Sequence, residues 1–220
     1  VTILMIDAGP AAEDALLTRT GGVPLAPAGT AWPRCATCSG PMQFLAQILL
    51  DDLSRGVGEG AEQGGGVLVL FMCQNDPGMC DEWSPSEGGN RALLFPADGL
   101  VPMPLPELGE DDDEEAILLG AVHTPAFEFV ADTDYDRAHQ AWAEQTGRSS
   151  MDVLGQLGGS PSWIQNDETP SCPSCARTMP LIAQLEEGPD HATAMNFGGC
   201  GSAYAFACEP CEQAAFLWQC

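Results

Sequence analysis

Two stretches of this 220-residue chain can be laid over one another without a gap. Residues 21–47 read GGVPLAPAGTAWPRCATCSGPMQFLAQ, and residues 158–184 read GGSPSWIQNDETPSCPSCARTMPLIAQ. At a constant offset of 137 they share nine identities in 27 positions: Gly21/Gly158, Gly22/Gly159, Pro24/Pro161, Pro33/Pro170, Cys35/Cys172, Cys38/Cys175, Met42/Met179, Ala46/Ala183 and Gln47/Gln184. Phe71 and Cys73 continue the match to Phe206 and Cys208 at an offset of 135. Such self-similarity means that one unit is built twice, so whatever buries the first copy must also bury the second. The expected division is repeat unit one over residues 1–99, a linker over 100–116 and repeat unit two over 117–220.

The linker reading rests on LVPMPLPELGEDDDEE from Leu100 to Glu115. Proline removes backbone donors there, and the acids from Glu110 to Glu115 repel one another. The run lacks the glycine and the alternating spacing of a calcium loop.

The remaining pattern is mostly β. Val67–Cys73, Tyr204–Cys208 and Ala215–Gln219 are short apolar runs bounded by Gly, Pro or acidic residues, as buried strands are. Ala92–Phe95 and Phe127–Val130 are further strands. Gln43–Leu50 is ambiguous by period. Its counterpart Leu181–Leu185 soon meets Gly188 and Pro189, which favours strand for both. One helix is expected from about Asp134 to Gln145, with Asp134 as N-cap, Ala138, Ala141 and Trp142 on one face, and Gly147 at its end. A second amphipathic segment is expected over Asp7–Leu17. The fold class is therefore α+β and β-rich: a duplicated β unit carrying a CxxC zinc knuckle, with the two copies packed together.

The cysteines carry the chemistry. Cys35-x-x-Cys38 is followed by Cys73 and Cys80, and Cys172-x-x-Cys175 by Cys208-x-x-Cys211. A CxxC turn aims two thiolates the same way, and a second pair at the end of a β-hairpin completes a four-sulfur shell for zinc. Two structural Zn2+ ions are expected, one per quartet. Cys80 needs the loop QNDPGM to fold back, which Pro77-Gly78 allows. Three other readings stay open. A redox CxxC would need a βαβ setting and a helix N-terminus. Disulfides would need an oxidising compartment, and isolated buried thiols are the ordinary state of cysteine. His191 and Cys200 are reserve ligands, and Cys220 reads as a spare thiol. His123, His139 and His191 form no HExxH or HxE pattern, and no P-loop, dinucleotide fingerprint or nucleophile elbow is present. A metal-dependent hydrolase or a CxxC thiol oxidoreductase is the alternative to a non-enzymatic role.

Charge narrows the partners. The chain has 7 basic residues, all Arg, against 32 acidic ones, for a formal charge of −25. It would repel nucleic acid and an anionic membrane surface, and attract a basic protein or peptide. The opening VTILMIDAGPAAEDALL lacks the basic region and long apolar stretch of a signal peptide, which with ten cysteines points to a reducing cytoplasm. Trp32 and Trp163 are either partner anchors or core residues over the knuckles. Gln47 and Gln184 read as buried amides that satisfy a backbone turn.

GGVPLAP with WPRCATCSGPMQFLAQ (Gly21–Gln47), LGGSPSWIQ (Leu157–Gln165) and AFLWQ (Ala215–Gln219) together resemble the bacterial YwqG-like proteins. A more distant similarity runs to the eukaryotic programmed cell death protein 2 type. The resemblance spans nearly the whole chain and implies a duplicated, β-rich α+β fold. It supplies no established activity or catalytic residue. The eukaryotic relatives imply a dedicated chaperone for a nascent ribosomal protein, and some bacterial members imply an immunity role. Many bacterial relatives lack the cysteine quartets, so the zinc reading rests on the spacing of this sequence. The expectation is a non-enzymatic, zinc-stabilised holder of a basic protein partner.

Overall fold

A computed structural model describes residues 1–12, 15–56, 65–107, 118–188 and 195–220. In chain order the strands are β1 (Thr2–Asp7), β2 (Arg19–Thr20), β3 (Leu25–Pro27), β4 (Gln43–Leu49), β5 (Gly66–Met72), β6 (Asn90–Pro96) and β7 (Leu100–Pro102). They continue with β8 (Pro125–Val130), helix α1 (Tyr135–Thr146), β9 (Val153–Leu157), β10 (Leu181–Glu186), β11 (Ser202–Cys208) and β12 (Gln213–Gln219). One antiparallel sheet has the order β2-β4-β5-β6, a second the order β12-β11-β10-β9-β1-β8, and β3 pairs with β7 alone. The fold is thus β-rich with a single α-helix among the described residues.

The duplication is visible bond by bond. Arg19 of β2 pairs with Gln47 of β4, and Gln156 of β9 pairs with Gln184 of β10, at the same offset of 137. The β4–β5 ladder slips between Phe44 and Ala46, and the β10–β11 ladder between Leu181 and Ala183, which are the equivalent positions. Gly21 donates to Leu45 O as Gly158 does to Ile182 O. A bulge adds twist and redirects a strand, so its retention in both copies preserves the same local bend.

The inner strands β4, β5, β10 and β11 are buried on both faces, which explains why they read as unbroken apolar runs rather than alternations. In β5, Leu68, Leu70 and Met72 face a central core shared with Ala203, Ala205 and Ala207 of β11. Val67, Val69 and Phe71 face outward under the first knuckle, and Tyr204 and Phe206 lie under the second. Helix α1 covers β1 through Tyr135, Ala138 and Trp142 against Leu4 and Ile6. Its N-cap is Asp134, whose carboxylate accepts from Arg137 N, and it ends on left-handed Gly147. The two sheets meet at both margins: β6 runs beside β12, and Thr20 bridges to His123 just ahead of β8.

Three expectations need correction. The described parts of Asp7–Leu17 form no helix. The carbonyls of Ala15 and Leu17 accept from the Gln47 amide, and Ala15 O also accepts from Arg19 Nε, so core side chains take the acceptors a helix would use. Leu100–Pro102 is not free linker but strand β7, paired with Leu25–Pro27, and Met103 behind it is buried. The acidic run Glu110–Glu115 lies outside the described residues. Finally, β1 falls within the expected unit one yet is hydrogen-bonded between β8 and β9 of the second sheet. No helix among the described residues is long and apolar enough to cross a membrane.

Candidate metal centres

Each CxxC sits in the same tight turn. Cys35 N donates to Gly40 O and Ser39 N to Cys35 O; Cys172 N donates to Arg177 O and Ala176 N to Cys172 O. The residue after the second cysteine is left-handed in both, Ser39 at φ 63° and Ala176 at φ 58°. That reversal turns the next amide back toward sulfur, so Gly40 N–H donates to Cys38 and Arg177 N–H to Cys175. Cys73 directly follows β5, and Cys208 ends β11. Cys211 follows in a 3-10 turn over Glu209–Cys211. Cys80 returns by a longer loop, held by the buried Glu82, whose carboxylate accepts from Gly78 N and Cys80 N.

These elements bring all eight predicted cysteines into two clusters, Cys35/Cys38/Cys73/Cys80 and Cys172/Cys175/Cys208/Cys211, with every sulfur within 4.8 Å of the others in its cluster. The Cys38–Cys73 and Cys175–Cys208 separations are 3.7 and 3.9 Å. A tetrahedron with Zn–S bonds of about 2.3 Å has edges of about 3.8 Å, whereas a disulfide requires about 2.05 Å. All ten cysteines are free thiols. The donor set and spacing fit a zinc ion in each cluster.

Electrostatics point the same way. Burial pushes the Cys73 thiol up to about 11 and Cys80 higher still. In the second cluster Arg177 Nε, 3.4 Å from Cys175 Sγ, draws that thiol down to about 6. Hydrogen bonding from its neighbours then drives Cys211 up to about 12. Four packed sulfurs cannot all ionise unless a cation lies among them, and a coordinated metal supplies that charge. Asn75 further braces the first cluster, its side-chain amide donating to both Cys38 and Cys73 at 3.4 Å.

The other candidates lie elsewhere. His123 pairs with Asp7 at 2.9 Å, and His139 contacts Ser150 O at 3.0 Å. Cys200 is exposed outside both clusters, its backbone N–H held by Glu187. His191 falls outside the described residues. No helix begins at either CxxC, so the setting a redox motif requires is missing from both. Trp32 is buried, with its indole N–H on Met42 O, and packs edge-on to Phe71 at 5.4 Å. Trp163 lies over Tyr204 at 4.3 Å and Phe206 at 6.1 Å. Both therefore cover the knuckle floors.

Sequence reasoning missed the polar pair that joins β2 to β4 in one copy and β9 to β10 in the other. Gln184 Oε1 accepts from Gln156 Nε2 at 3.1 Å and from Ser162 N at 2.9 Å. Arg19 stands where Gln156 stands, reaching Gln47 at 3.3 Å and the carbonyls of Gly21 and Val23. Arg19 and Gln156 lie two residues ahead of the Gly21/Gly158 match and differ in type, so identity alone does not mark them as equivalent.

A family model described as "Domain of unknown function (DUF1963)" matches residues 18–219. A 71-residue stretch is 38% identical to "Uncharacterized protein YpfL" of Salmonella typhimurium, covering 30% of this chain. The match spans only 15% of that relative's length.

Proposed function

The chain belongs to the DUF1963 family, and from that membership and the two sulfur clusters we propose that it is a non-enzymatic protein-binding module stapled by two structural zinc ions. Cys35, Cys38, Cys73 and Cys80 hold one ion; Cys172, Cys175, Cys208 and Cys211 hold the other. The carrying observation is that four sulfurs lie within 4.8 Å of one another in each cluster, with Cys38–Cys73 at 3.7 Å and Cys175–Cys208 at 3.9 Å, near the edge length of about 3.8 Å of a zinc tetrahedron. Four thiolates close the shell and leave no position for substrate, so the ions support folding rather than catalysis. In zinc-finger peptides such sites contribute on the order of 10–16 kcal/mol of apparent binding free energy. The finer reading is a YwqG-like, cytoplasmic holder of a basic protein, chaperone-like or immunity-like, supported by a formal charge of −25.

Metal analysis of purified protein is expected to find two zinc per chain. Cys35→Ser and Cys211→Ser should each lose about one equivalent and melt at least about 10 °C lower, since removal of one partner leaves an incomplete shell. Protein that carries no metal, or a Cys211→Ser protein that keeps both ions and its melting temperature, would overturn the assignment.

A further inference from the structure

A cavity of about 610 Å3 lies at the seam where the end of β6 meets the second knuckle. Ligand sites occupy cavities of about 300–1,000 Å3 and favour junctions between packed units. Its walls come from both repeats: Leu50, Leu94 and Phe95 from the first, and Glu209, Pro210 and Glu212 from the second. Leu50 is fully buried and forms the floor, whereas Glu209, Pro210 and Glu212 are exposed at the mouth. Among the described residues, no basic side chain lines the cavity. Among the described residues neither Glu209 nor Glu212 has an ion-pair partner. The two carboxylates flank Cys211 in one turn that Glu212 closes, its N–H donating to Glu209 O at 3.0 Å with φ at 51°.

We propose that this cavity is where a basic partner docks: an Arg or Lys side chain lays its apolar stem over Leu94, Phe95 and Pro210 and places its cationic head between Glu209 and Glu212. The inference deepens the basic-partner reading of the preceding subsection and rests on it. The complementarity is specific in form, because long basic side chains join an apolar stem to a charged tip. The chain's overall negative field brings such a segment in, and the seam gives it one place to sit. The second zinc site would then do more than staple a hairpin, since the turn it fixes carries both carboxylates.

The test uses full-length, zinc-loaded protein and a fluorescein-labelled peptide, Gly-Arg-Leu-Arg-Gly-Arg-Leu-Arg, followed by anisotropy at low salt. Glu209→Gln with Glu212→Gln is expected to weaken binding by about tenfold, as loss of a paired charge at an interface does. Glu128→Gln with Glu144→Gln removes the same charge from the far side, on β8 and α1, and should change affinity less than about twofold. Leu94→Trp, which fills the cavity from the repeat that does not carry Cys211, should weaken binding without altering net charge or zinc content. Equal loss in the two double variants, or a Leu94→Trp protein that binds as before, would sink the cavity while leaving the acidic attraction standing. Failure of the zinc-loaded wild type to bind the peptide at all would sink both.

Discussion

A few buried polar side chains determine how well the apolar body closes. Glu186 is the most exacting of them. Its carboxylate accepts from Tyr135 Oη at 2.8 Å and from Ser202 Oγ at 3.1–3.2 Å, and no Arg among the described residues pairs with it. Desolvation raises its pKa above the ordinary carboxylate range, against the pull of those two hydroxyls. A carboxyl whose folded pKa is raised gives stability that is fully present below its unfolded pKa and is lost as pH rises through the folded one. Glu186→Gln, always neutral and still able to accept from Tyr135, is therefore expected to be more stable than the wild type at pH 8. In parallel urea titrations that advantage should hold above the folded pKa of Glu186 and shrink as pH falls below it toward the ordinary carboxylate range. A gap that is constant with pH would show that Glu186 ionises freely in the fold. At this scale the sequence was partly legible. Gln47 and Gln184 were readable as buried amides from their place in the repeat. Arg19 was not, because an arginine and a glutamine doing one job share no letter.

At the scale of elements, runs buried on both faces were the easiest to read. Val67–Cys73 became β5 and Tyr204–Cys208 fell within β11, since few structures other than inner strands accommodate them. The knuckles were legible from spacing alone, because CxxC turns have little freedom once both sulfurs must point one way. The strands β1, β2, β3, β7 and β9 escaped, and β9 shows why. Its Gly155 breaks the strand pattern, yet the position has no room for a side chain: a Cβ there would lie 1.9 Å from Gln184 O. The knuckles also store strain that a substitution can release. Ala176 adopts φ 58° where a side chain costs about 1 kcal/mol relative to glycine. Ala176→Gly should raise the melting temperature of the zinc-loaded protein by about 2–4 °C, read by calorimetry. An unchanged or lower midpoint would mean that the turn is not set by this dihedral.

For the whole molecule, the unit that matters is not the repeat. Each copy brings four strands, but their inner faces are halves of one core in which Leu68 and Leu70 meet Ala203 and Ala205. The second sheet is also incomplete without β1, whose Leu4, Met5 and Ile6 are almost wholly buried. A fragment of residues 117–220 is therefore expected to show poor amide dispersion and no sharp thermal transition, even with zinc. Adding a peptide of residues 1–9 alone should not rescue it, because the opposing sheet is still missing. A fragment that melted cooperatively would show that the second repeat is an independent domain. The sequence made the duplication plain but not this interdependence, which lies in contacts between copies that share no residue pattern.

The position of β1 has a bearing on how the molecule is made. Its partners, Pro125–Val130 and Val153–Leu157, lie more than a hundred residues downstream. During synthesis the apolar segment Thr2–Ile6 must wait, unpaired, until most of the polypeptide has left the ribosome. Pairing over such separations is slow and leaves sticky strands open to wrong neighbours. A chain with so many acids has a built-in remedy, since nascent copies on adjacent ribosomes repel one another while that interval lasts.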